Sequence, residues 1–290
     1  MKLITFIRKD KEEIGVLKDD FIVPLNELGY NFKSMNDLIL NTNEDELKVI
    51  NKKVNEYKSP LRLEDIKLLS PIPRPLQDVI CLGLNYTEHA EEAFNYSDAF
   101  SVNKDATIYF SKRVNYSPGT EEHINSHKGL VEKLDYENEL AVIIGKDAKD
   151  VKEEDAEEYI FGYTILNDIS ARDIQTKHKQ WYFGKSLDGF SPTGPCIVSK
   201  DEISYPPELN IKTYVNGEIR QDSNTRMLIH GISEIISELS IGMTLKAGTI
   251  IATGTPKGVA MGMDKPSFLK SGDEVICEIE GIGKLINIID

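Results

Sequence analysis

The chain has 290 residues, of which 40% are hydrophobic and 28% charged, and a formal net charge of −14 at pH 7. The length allows one large core, or a large domain with a small one. The negative charge argues against nucleic acid and anionic membrane surfaces as partners, because both attract basic patches. A small anionic substrate remains compatible, because a metal ion and a few local cations outweigh distant surface charge.

The location is predicted to be cytoplasmic. No apolar run approaches the roughly 20 residues that span a bilayer. The first eight residues, MKLITFIR, have too short an apolar segment for a signal peptide and are predicted to form a strand. Cys81, Cys196 and Cys277 are odd in number and far apart, which is typical of reduced core residues.

Residues 1–70 are predicted to form a small N-terminal α+β domain. Strand patterns come first, at residues 1–8, 13–17 and 21–25. The clearest helix covers residues 43–57, where Asn43 and Glu46 form an N-cap signature. Prolines at positions 71, 73 and 75 then make a stiff connector. We therefore place a domain boundary at residue 70, with a second domain over residues 71–290.

The second domain is predicted to be mostly β, with antiparallel or mixed sheets and few helices. The predicted strands are 79–83, 106–110, 140–145, 160–166, 196–198, 211–215, 249–252 and 274–279. The predicted helices are 86–94, a short one after Asp168, and 228–239. Strands this frequent, with so few helices between them, are not typical of a doubly wound sheet.

Three carboxylates form a candidate metal site. Glu137 and Glu139 are two residues apart at the start of an apolar strand, so their side chains share a face. Asp168 follows the next strand, where loops gather ligands; its alternative role is a carboxylate at a helix start, with Ser170 as N-cap. Carboxylate oxygens suit Mg²⁺ or Mn²⁺ better than Zn²⁺, because no Cys/His cluster accompanies them. The alternative for the glutamate pair is a solvated strand edge.

Other segments contain candidate catalytic and binding residues. His89 and Glu92 are neighbours on one helix face and form either a water-activating pair or a surface contact. Lys185 lies among apolar residues, as a buried cation for an oxyanion or as a lysine that reaches solvent. Residues 252–259, ATGTPKGV, are either an oxyanion-binding loop or a plain turn.

Taken in order, these segments resemble the fumarylacetoacetate hydrolase superfamily over residues 75–290. The motifs are GLNY at 83–86 with His89 and Glu92, DYENEL at 135–140, GY at 162–163, NDISARD at 167–173, GKS at 184–186 with Asp188, VNGE at 215–218 with Gln221, and TGTP at 253–256. The match is to the bacterial two-domain branch, which includes acylpyruvate hydrolases and 2-hydroxyhepta-2,4-diene-1,7-dioate isomerases.

The resemblance implies rolled mixed β-sheets, a homodimer, and Mg²⁺ or Mn²⁺ held at the three carboxylate positions. It implies that His89 and Glu92 activate water on a segment that orders as a lid. Residues 91–105 of this lid are expected to select the substrate. The resemblance also implies that Lys185 faces the substrate oxyanion and that the remaining matched residues contact substrate or metal-shell oxygens; these are Arg172, Gln175 and Thr255. Animal fumarylacetoacetate hydrolases place an aspartate ligand where this chain has Asn85, which argues against fumarylacetoacetate itself as substrate.

The expected function is a metal-dependent reaction on a small anionic 2-oxo or 2,4-dioxo carboxylate through a metal-bound enolate. Hydrolytic C–C cleavage of an acylpyruvate-like substrate is the preferred prediction, because the His–Glu pair is present. Decarboxylation or keto–enol isomerisation at the same site are alternatives that the sequence does not separate. A protein that binds a metal and an oxo acid without catalysis is the alternative of another class.

Overall fold

The computed structural model describes residues 1–97 and 107–290. Its strands are β1 Lys2–Arg8, β2 Lys11–Lys18, β3 Phe21–Pro24, β4 Leu61–Arg62, β5 Lys67–Leu68, β6 Val79–Gly83, β7 Ile108–Lys112, β8 His123–Ile124, β9 Leu134–Asp135, β10 Asn138–Ile144, β11 Ile160–Asn167, β12 Ser170–Ala171, β13 Thr193–Ser199, β14 Asn210–Val215, β15 Glu218–Asn224, β16 Ile250–Ala252, β17 Glu274–Ile279 and β18 Gly283–Ile289. Its helices are α1 Met35–Asn41, α2 Glu44–Glu56, α3 Thr87–Tyr96, α4 Arg172–Lys177, α5 Tyr182–Lys185 and α6 Ile232–Gly242. Strands predominate over helices, which confirms the predicted fold class.

Two mixed sheets make up most of the molecule. Eleven strands form the larger sheet, in the order β4-β3-β2-β1-β13-β11-β10-β16-β6-β7, with β5 paired to β1. Its pairs are antiparallel except β16 with β6. The smaller sheet has the order β15-β14-β17-β18-β8. The N-terminal strands belong to the larger sheet, because Lys2 of β1 pairs with Val198 of β13. The domain boundary near residue 70 stays a prediction.

One end of the larger sheet gathers the predicted site residues. Strands β10 and β11 are buried along their whole length, as expected of central strands covered on both faces. They are antiparallel, with Glu139 opposite Leu166, so the start of β10 lies beside the end of β11, where Asp168 follows. Strand β16 is antiparallel to β10 and parallel to β6, so both of these also end there.

Local signals predicted both α2 and the short helix α4, but they gave the wrong cap residue for α4. The Asn43 side chain accepts a hydrogen bond from the Glu46 amide, and the Glu46 carboxylate accepts one from the Asn43 amide, as the N-cap signature predicts. Ser170 does not cap α4: its hydroxyl donates to the Asp168 carbonyl, and the cap residue is Ala171. Ser170 is held in the short strand β12, so tertiary pairing overrides the local signal.

Other differences concern edges and short elements. Helix α1 and strands β15 and β18 were not predicted, and α6 begins at Ile232 rather than at residue 228. Residue 106 of the predicted strand 106–110, and residues 98–105 of the predicted lid, lie outside the described residues. Within the part of the chain that is described, no helix combines the length and the apolar character needed to cross a bilayer.

The β11–β13 contact generates a stability prediction. A Cβ at Gly162 would lie 2.3 Å from the carbonyl oxygen of Val198 on the neighbouring strand, so the backbone would have to shift. We expect Gly162→Ala to lower the free energy of unfolding by about 3 kcal/mol, measured from the urea midpoint. Gly242→Ala, at the end of α6 with no atom near its Cβ, is the matched control and should be neutral or slightly stabilising. Equal midpoints for the two variants would contradict the close packing.

Candidate active site

Glu137, Glu139 and Asp168 converge at the end of the sheet. Each offers a carboxylate oxygen, and these oxygens lie within 4.8 Å of one another. The three residues are only 5%, 1% and 0% exposed, so the alternative of a solvated strand edge is wrong. Among the described residues no other group of three His, Cys, Asp or Glu side chains comes this close together.

Two buried lysines contact the carboxylates, and they differ in how many ammonium hydrogens are used in hydrogen bonds to the protein. The Lys185 ammonium donates to Glu137 Oε2 at 2.7 Å and to Asp168 Oδ2 at 2.8 Å. The Lys112 ammonium donates to Asp168 Oδ1 and to the carbonyls of Ile169 and Phe190. An ammonium has three hydrogens, so Lys112 is saturated, whereas Lys185 keeps one for a ligand.

Burial and charge act in opposite directions on these lysines. Burial lowers the pKa of Lys112 overall, although Asp168 opposes it. Burial also acts to lower the pKa of Lys185, but the charges of Asp168 and Glu137 outweigh it and raise the pKa. Lys185 is 2% exposed, so the alternative of a lysine that reaches solvent is wrong. Both side chains thus serve as buried cations beside the carboxylates.

Arg172 links the carboxylate cluster to the strand before it. One guanidinium nitrogen lies 2.6 Å from Glu137 Oε1, and Nε donates to Asp135 Oδ2 at 2.9 Å. A third nitrogen donates to the Gln175 side-chain oxygen at 2.9 Å. The Gln175 side-chain nitrogen has no hydrogen-bond partner among the residues that the structure describes. Arg172 and Gln175 together therefore bring hydrogen-bond donors to the cavity lining.

Glu139 is the member of the cluster whose charge is least compensated. Burial, then the charges of Asp168 and Glu137, raise its pKa well above the usual range. By contrast, Lys185, Arg172 and His89 outweigh burial at Glu137 and lower its pKa. Within the described chain Glu139 forms no ion pair, and its one hydrogen bond is from the Gly254 amide at 2.7 Å. An uncompensated oxygen-donor cluster of this kind fits a hard divalent cation.

The loop after β16 holds Thr255 beside the cluster. The Thr255 hydroxyl donates to the Asn138 carbonyl at 2.9 Å and accepts from the Gln221 side chain at 2.7 Å. Its single hydrogen is therefore already used within the protein, so the hydroxyl can meet a ligand only as an acceptor. The loop is a tethered part of the site and not the plain turn considered as an alternative.

His89 and Glu92 lie on α3. His89 is 4% exposed, and its Nδ1 lies 3.5 Å from Glu92 Oε2. The Glu92 carboxylate also accepts the Gly258 amide at 3.0 and 3.1 Å. The pair is therefore anchored to the same loop that carries Thr255, and the alternative of a surface contact is wrong for His89.

A single cavity brings most of the predicted residues together. Its enclosed volume is small, about 10 Å³, and it adjoins space that is open to solvent. Its polar lining consists of His89, Glu137, Glu139, Arg172, Gln175, Lys185 and Thr255. Asp168 adjoins this lining through Lys185, and Glu92 adjoins it through His89. The catalytic, metal and substrate roles of these nine residues stay predictions.

Comparison with known proteins identifies the family. The model of the fumarylacetoacetate (FAA) hydrolase C-terminal domain matches residues 78–290. The chain belongs to the fumarylacetoacetate hydrolase family. Oxaloacetate tautomerase YisK of Bacillus subtilis (strain 168) is 46% identical over 227 residues, which are 78% of this chain and 74% of that protein.

Two solved structures of the family superpose on the whole chain. Fumarylacetoacetate hydrolase from psychrophilic Exiguobacterium antarcticum is 36% identical, with a TM-score of 0.83 over 100% of this chain and 99% of the other. Maleylpyruvate hydrolase from Sphingobium sp. SYK-6, solved with manganese(II) ion and pyruvate, is 29% identical, with a TM-score of 0.79 over 100% and 98%. Both findings confirm the resemblance found in the motifs.

Asn85 stands where the resemblance gives animal members of the family an aspartate, and in this chain its side chain forms hydrogen bonds to the backbone. Its side-chain nitrogen donates to the carbonyls of His230 and Thr253 at 3.1 and 2.8 Å, and its oxygen accepts the His230 amide at 2.8 Å. The amide thereby joins the segment before α6 to the loop after β16. Every polar atom of the Asn85 side chain is used by backbone groups, so the carboxylate count of the cluster stays at three.

Sequence reasoning missed four residues of the site. Lys112 had an available signal, because it continues the alternation of the apolar residues Ile108 and Phe110 along β7. Asp135 continues the alternation of Glu137 and Glu139. No local signal predicted that Gln221 would hold Thr255 by a hydrogen bond, because its strand β15 was not predicted. Trp181, the single tryptophan of the sequence, was given no role, and the structure places it in the cavity lining.

The uncompensated charge of Glu139 gives a two-part prediction. We expect Glu139→Gln to leave the metal-free protein at least as stable as wild type, because it removes repulsion between buried carboxylates. The same variant should lose most of the rise in Tm that excess Mn²⁺ gives the wild type. Differential scanning fluorimetry with and without Mn²⁺ measures both. Glu132→Gln, at an exposed position, is the control; an unchanged Mn²⁺ response in Glu139→Gln would remove Glu139 from the metal site.

The hydrogen count of Lys112 predicts a stability effect. Lys112→Met takes the lysine donor away from Asp168 Oδ1 and from two carbonyls, so we expect a loss of about 3 to 5 kcal/mol in the free energy of unfolding. Lys128→Met, at an exposed lysine, should change it by less than about 0.5 kcal/mol. Urea unfolding of both metal-free variants tests this, and equal midpoints would show that Lys112 does not hold the cluster.

Proposed function

We propose that this protein is a divalent-metal-dependent enzyme that interconverts the keto and enol forms of a small 2-oxo carboxylate of the oxaloacetate type. The observation that carries the proposal is the buried cluster of Glu137, Glu139 and Asp168, with Lys185 donating into it and His89 lining the same cavity. The 46% identity with an oxaloacetate tautomerase supports this reaction among those of the family.

Glu137, Glu139 and Asp168 would hold Mg²⁺ or Mn²⁺. When bound, the metal supplies Lewis-acid polarisation of the 2-oxo group, which makes the neighbouring carbon acidic. The donor set is all oxygen, and the family member from Sphingobium was solved with manganese(II), which supports a hard divalent ion.

Lys185 and His89 would carry the proton chemistry. The remaining hydrogen of Lys185 donates to the substrate oxygen that gains charge as the C3 proton leaves. His89 takes the proton from C3 and delivers it to the 2-oxygen, or carries it in the reverse direction, which interconverts the keto and enol forms. Glu92 orients the imidazole, and the Gly258 amide in turn orients Glu92.

Arg172 and Gln175 would bind a substrate carboxylate. The guanidinium is fixed by Asp135 and Glu137, so it meets the ligand already oriented. The opposing charges of these carboxylates outweigh burial and raise its pKa, which keeps it charged at any working pH. At the same end of the cavity, Thr255 would contact the substrate through its hydroxyl oxygen as an acceptor, or through its backbone groups.

Hydrolytic cleavage of an acylpyruvate is the second candidate. The anchored His89–Glu92 pair favours it, because such a pair can activate water as well as move a proton. The likeness to maleylpyruvate hydrolase supports it as well. Homodimer formation and a cytoplasmic location are further proposals that rest on the sequence.

The direct test is turnover of oxaloacetate and acetylpyruvate, followed by enol absorbance and by pyruvate formation. Protein treated with EDTA should be inactive and should recover with Mg²⁺ or Mn²⁺. His89→Ala should lose at least about a hundredfold in kcat, since it removes the proton carrier. His178→Ala, an exposed histidine outside the cavity lining, should keep wild-type kcat.

The outcomes separate the candidates. Enol loss without pyruvate supports the tautomerase, and pyruvate from acetylpyruvate supports the hydrolase. Ligand binding with no turnover would favour a binding protein. Full activity after metal removal would overturn the proposed chemistry altogether.

A further inference from the structure

The cavity has a polar end and an apolar end. The carboxylates, Lys185, Arg172 and Gln175 form the polar end. The remaining lining residues are apolar or lack a side chain: Leu82, Gly83, Leu84, Phe110, Trp181 and Met261. A 2-oxo carboxylate head placed at the polar end therefore directs the rest of the molecule toward this second set.

Trp181 is the largest side chain of the apolar end, and its ring is fixed on two sides. A Cβ at Gly83 would lie 2.4 and 2.8 Å from two ring carbons, so the ring packs directly on the β6 backbone. Phe110 of β7 meets it edge to face, with ring centroids 5.4 Å apart. Trp181 also packs against the apolar cluster of Ala93, Val259 and Met261 beneath α3. The ring has little room to move aside for a longer ligand.

Trp181 and Lys185 are coupled through α5. The Lys185 amide donates to the Trp181 carbonyl at 3.2 Å, one helical turn away, so the two side chains lie on one face. The Lys185 ammonium is 5.1 Å from the centre of the Phe110 ring, which Trp181 contacts. The indole is thus held at a fixed place relative to the cation proposed to face the substrate oxygen.

We infer that Trp181 is the specificity-determining residue for substrate length. Its ring lines the cavity and is held in place by Gly83 and Phe110, so it should admit short 2-oxo carboxylates such as oxaloacetate and exclude longer acylpyruvates. This inference rests on the proposed function for the head-group chemistry. It assigns selectivity to a described residue at the start of α5, whereas the sequence alone assigned selectivity to the segment 91–105.

The kinetic test compares a short and a long substrate in a graded series. The ratio of kcat/KM for fumarylpyruvate to that for oxaloacetate should rise at least tenfold in Trp181→Ala, with Trp181→Phe in between. Phe183→Ala, an exposed aromatic two residues away that does not line the cavity, is the matched control and should keep the wild-type ratio. Equal loss on both substrates, or an unchanged ratio, would overturn the inference.

A binding arm keeps the test independent of turnover. Calorimetry with Mg²⁺ and two ligands that differ only in an apolar tail, pyruvate and 2-oxooctanoate, gives a ratio of Kd values. That ratio should shift at least tenfold toward the longer ligand in Trp181→Ala. Should Trp181→Ala fail to fold by its thermal midpoint, the Trp181→Phe variant decides, with a smaller shift in the same direction.

The two proposals fail in distinguishable ways. One outcome is that the wild type turns over neither substrate, while pyruvate still binds and the ratio of Kd values still shifts in Trp181→Ala. That result would overturn the proposed function and keep the role of Trp181 in selecting ligand length. Turnover of oxaloacetate with the same ratio of kcat/KM values in wild type and Trp181→Ala would keep the proposed function and overturn the role of Trp181 in selecting substrate length. Because Trp181 is the only tryptophan, its emission should also change when Mg²⁺ and oxalate are added, and an unchanged spectrum would place the ring away from the ligand.

Discussion

The repulsion between buried carboxylates is the constraint on which the rest of this structure depends. Four of them share one end of the larger sheet: Asp135, Glu137, Glu139 and Asp168. Three buried cations face them: Lys112, Lys185 and Arg172. Each of these cations contacts at least one carboxylate, but none contacts Glu139. Burying this many charges is tolerated only where they are paired, and the unpaired remainder points to a metal ion.

The loop after β16 takes its shape from this charge cluster. Its amides at Gly254, Ala260 and Met261 donate to carboxylates of Glu139 and Asp135. A third carboxylate, that of Glu92 on α3, accepts the Gly258 amide. The backbone of one loop therefore connects the metal site to the helix that carries the proposed proton carrier. A change in the charge of the cluster would therefore reach that helix through this loop, by its hydrogen bonds and by the packing of Ala93 against Val259 and Met261.

The sequence was sufficient to predict the central strands and most of the polar site. Periodicity located β6 and β17 to the residue, and alternation placed Glu137 and Glu139 together, because these signals are local. The pairing of β1 with β13 and the contact of Gln221 with Thr255 join residues far apart in the chain, so no local pattern reports them. Ser170 shows the converse error, in which a local cap signal is overridden by a strand pair.

Relatives of this chain include an oxaloacetate tautomerase and a maleylpyruvate hydrolase, and the two candidate reactions proposed for it share one charged site. In the proposed chemistry, the carboxylate cluster and the spare hydrogen of Lys185 serve the loss of a proton from C3 or the breaking of a bond to C3 alike, because both place charge on the same oxygen. The product then depends on whether His89 carries a proton between C3 and the 2-oxygen or activates a water molecule. It also depends on how long a substrate the apolar end admits. Lys112, with no hydrogen to spare, fixes Asp168 in every one of these reactions. In this proposal, selection of the reaction lies with α3 and with the wall around Trp181, while the buried charges supply the step that all the reactions share.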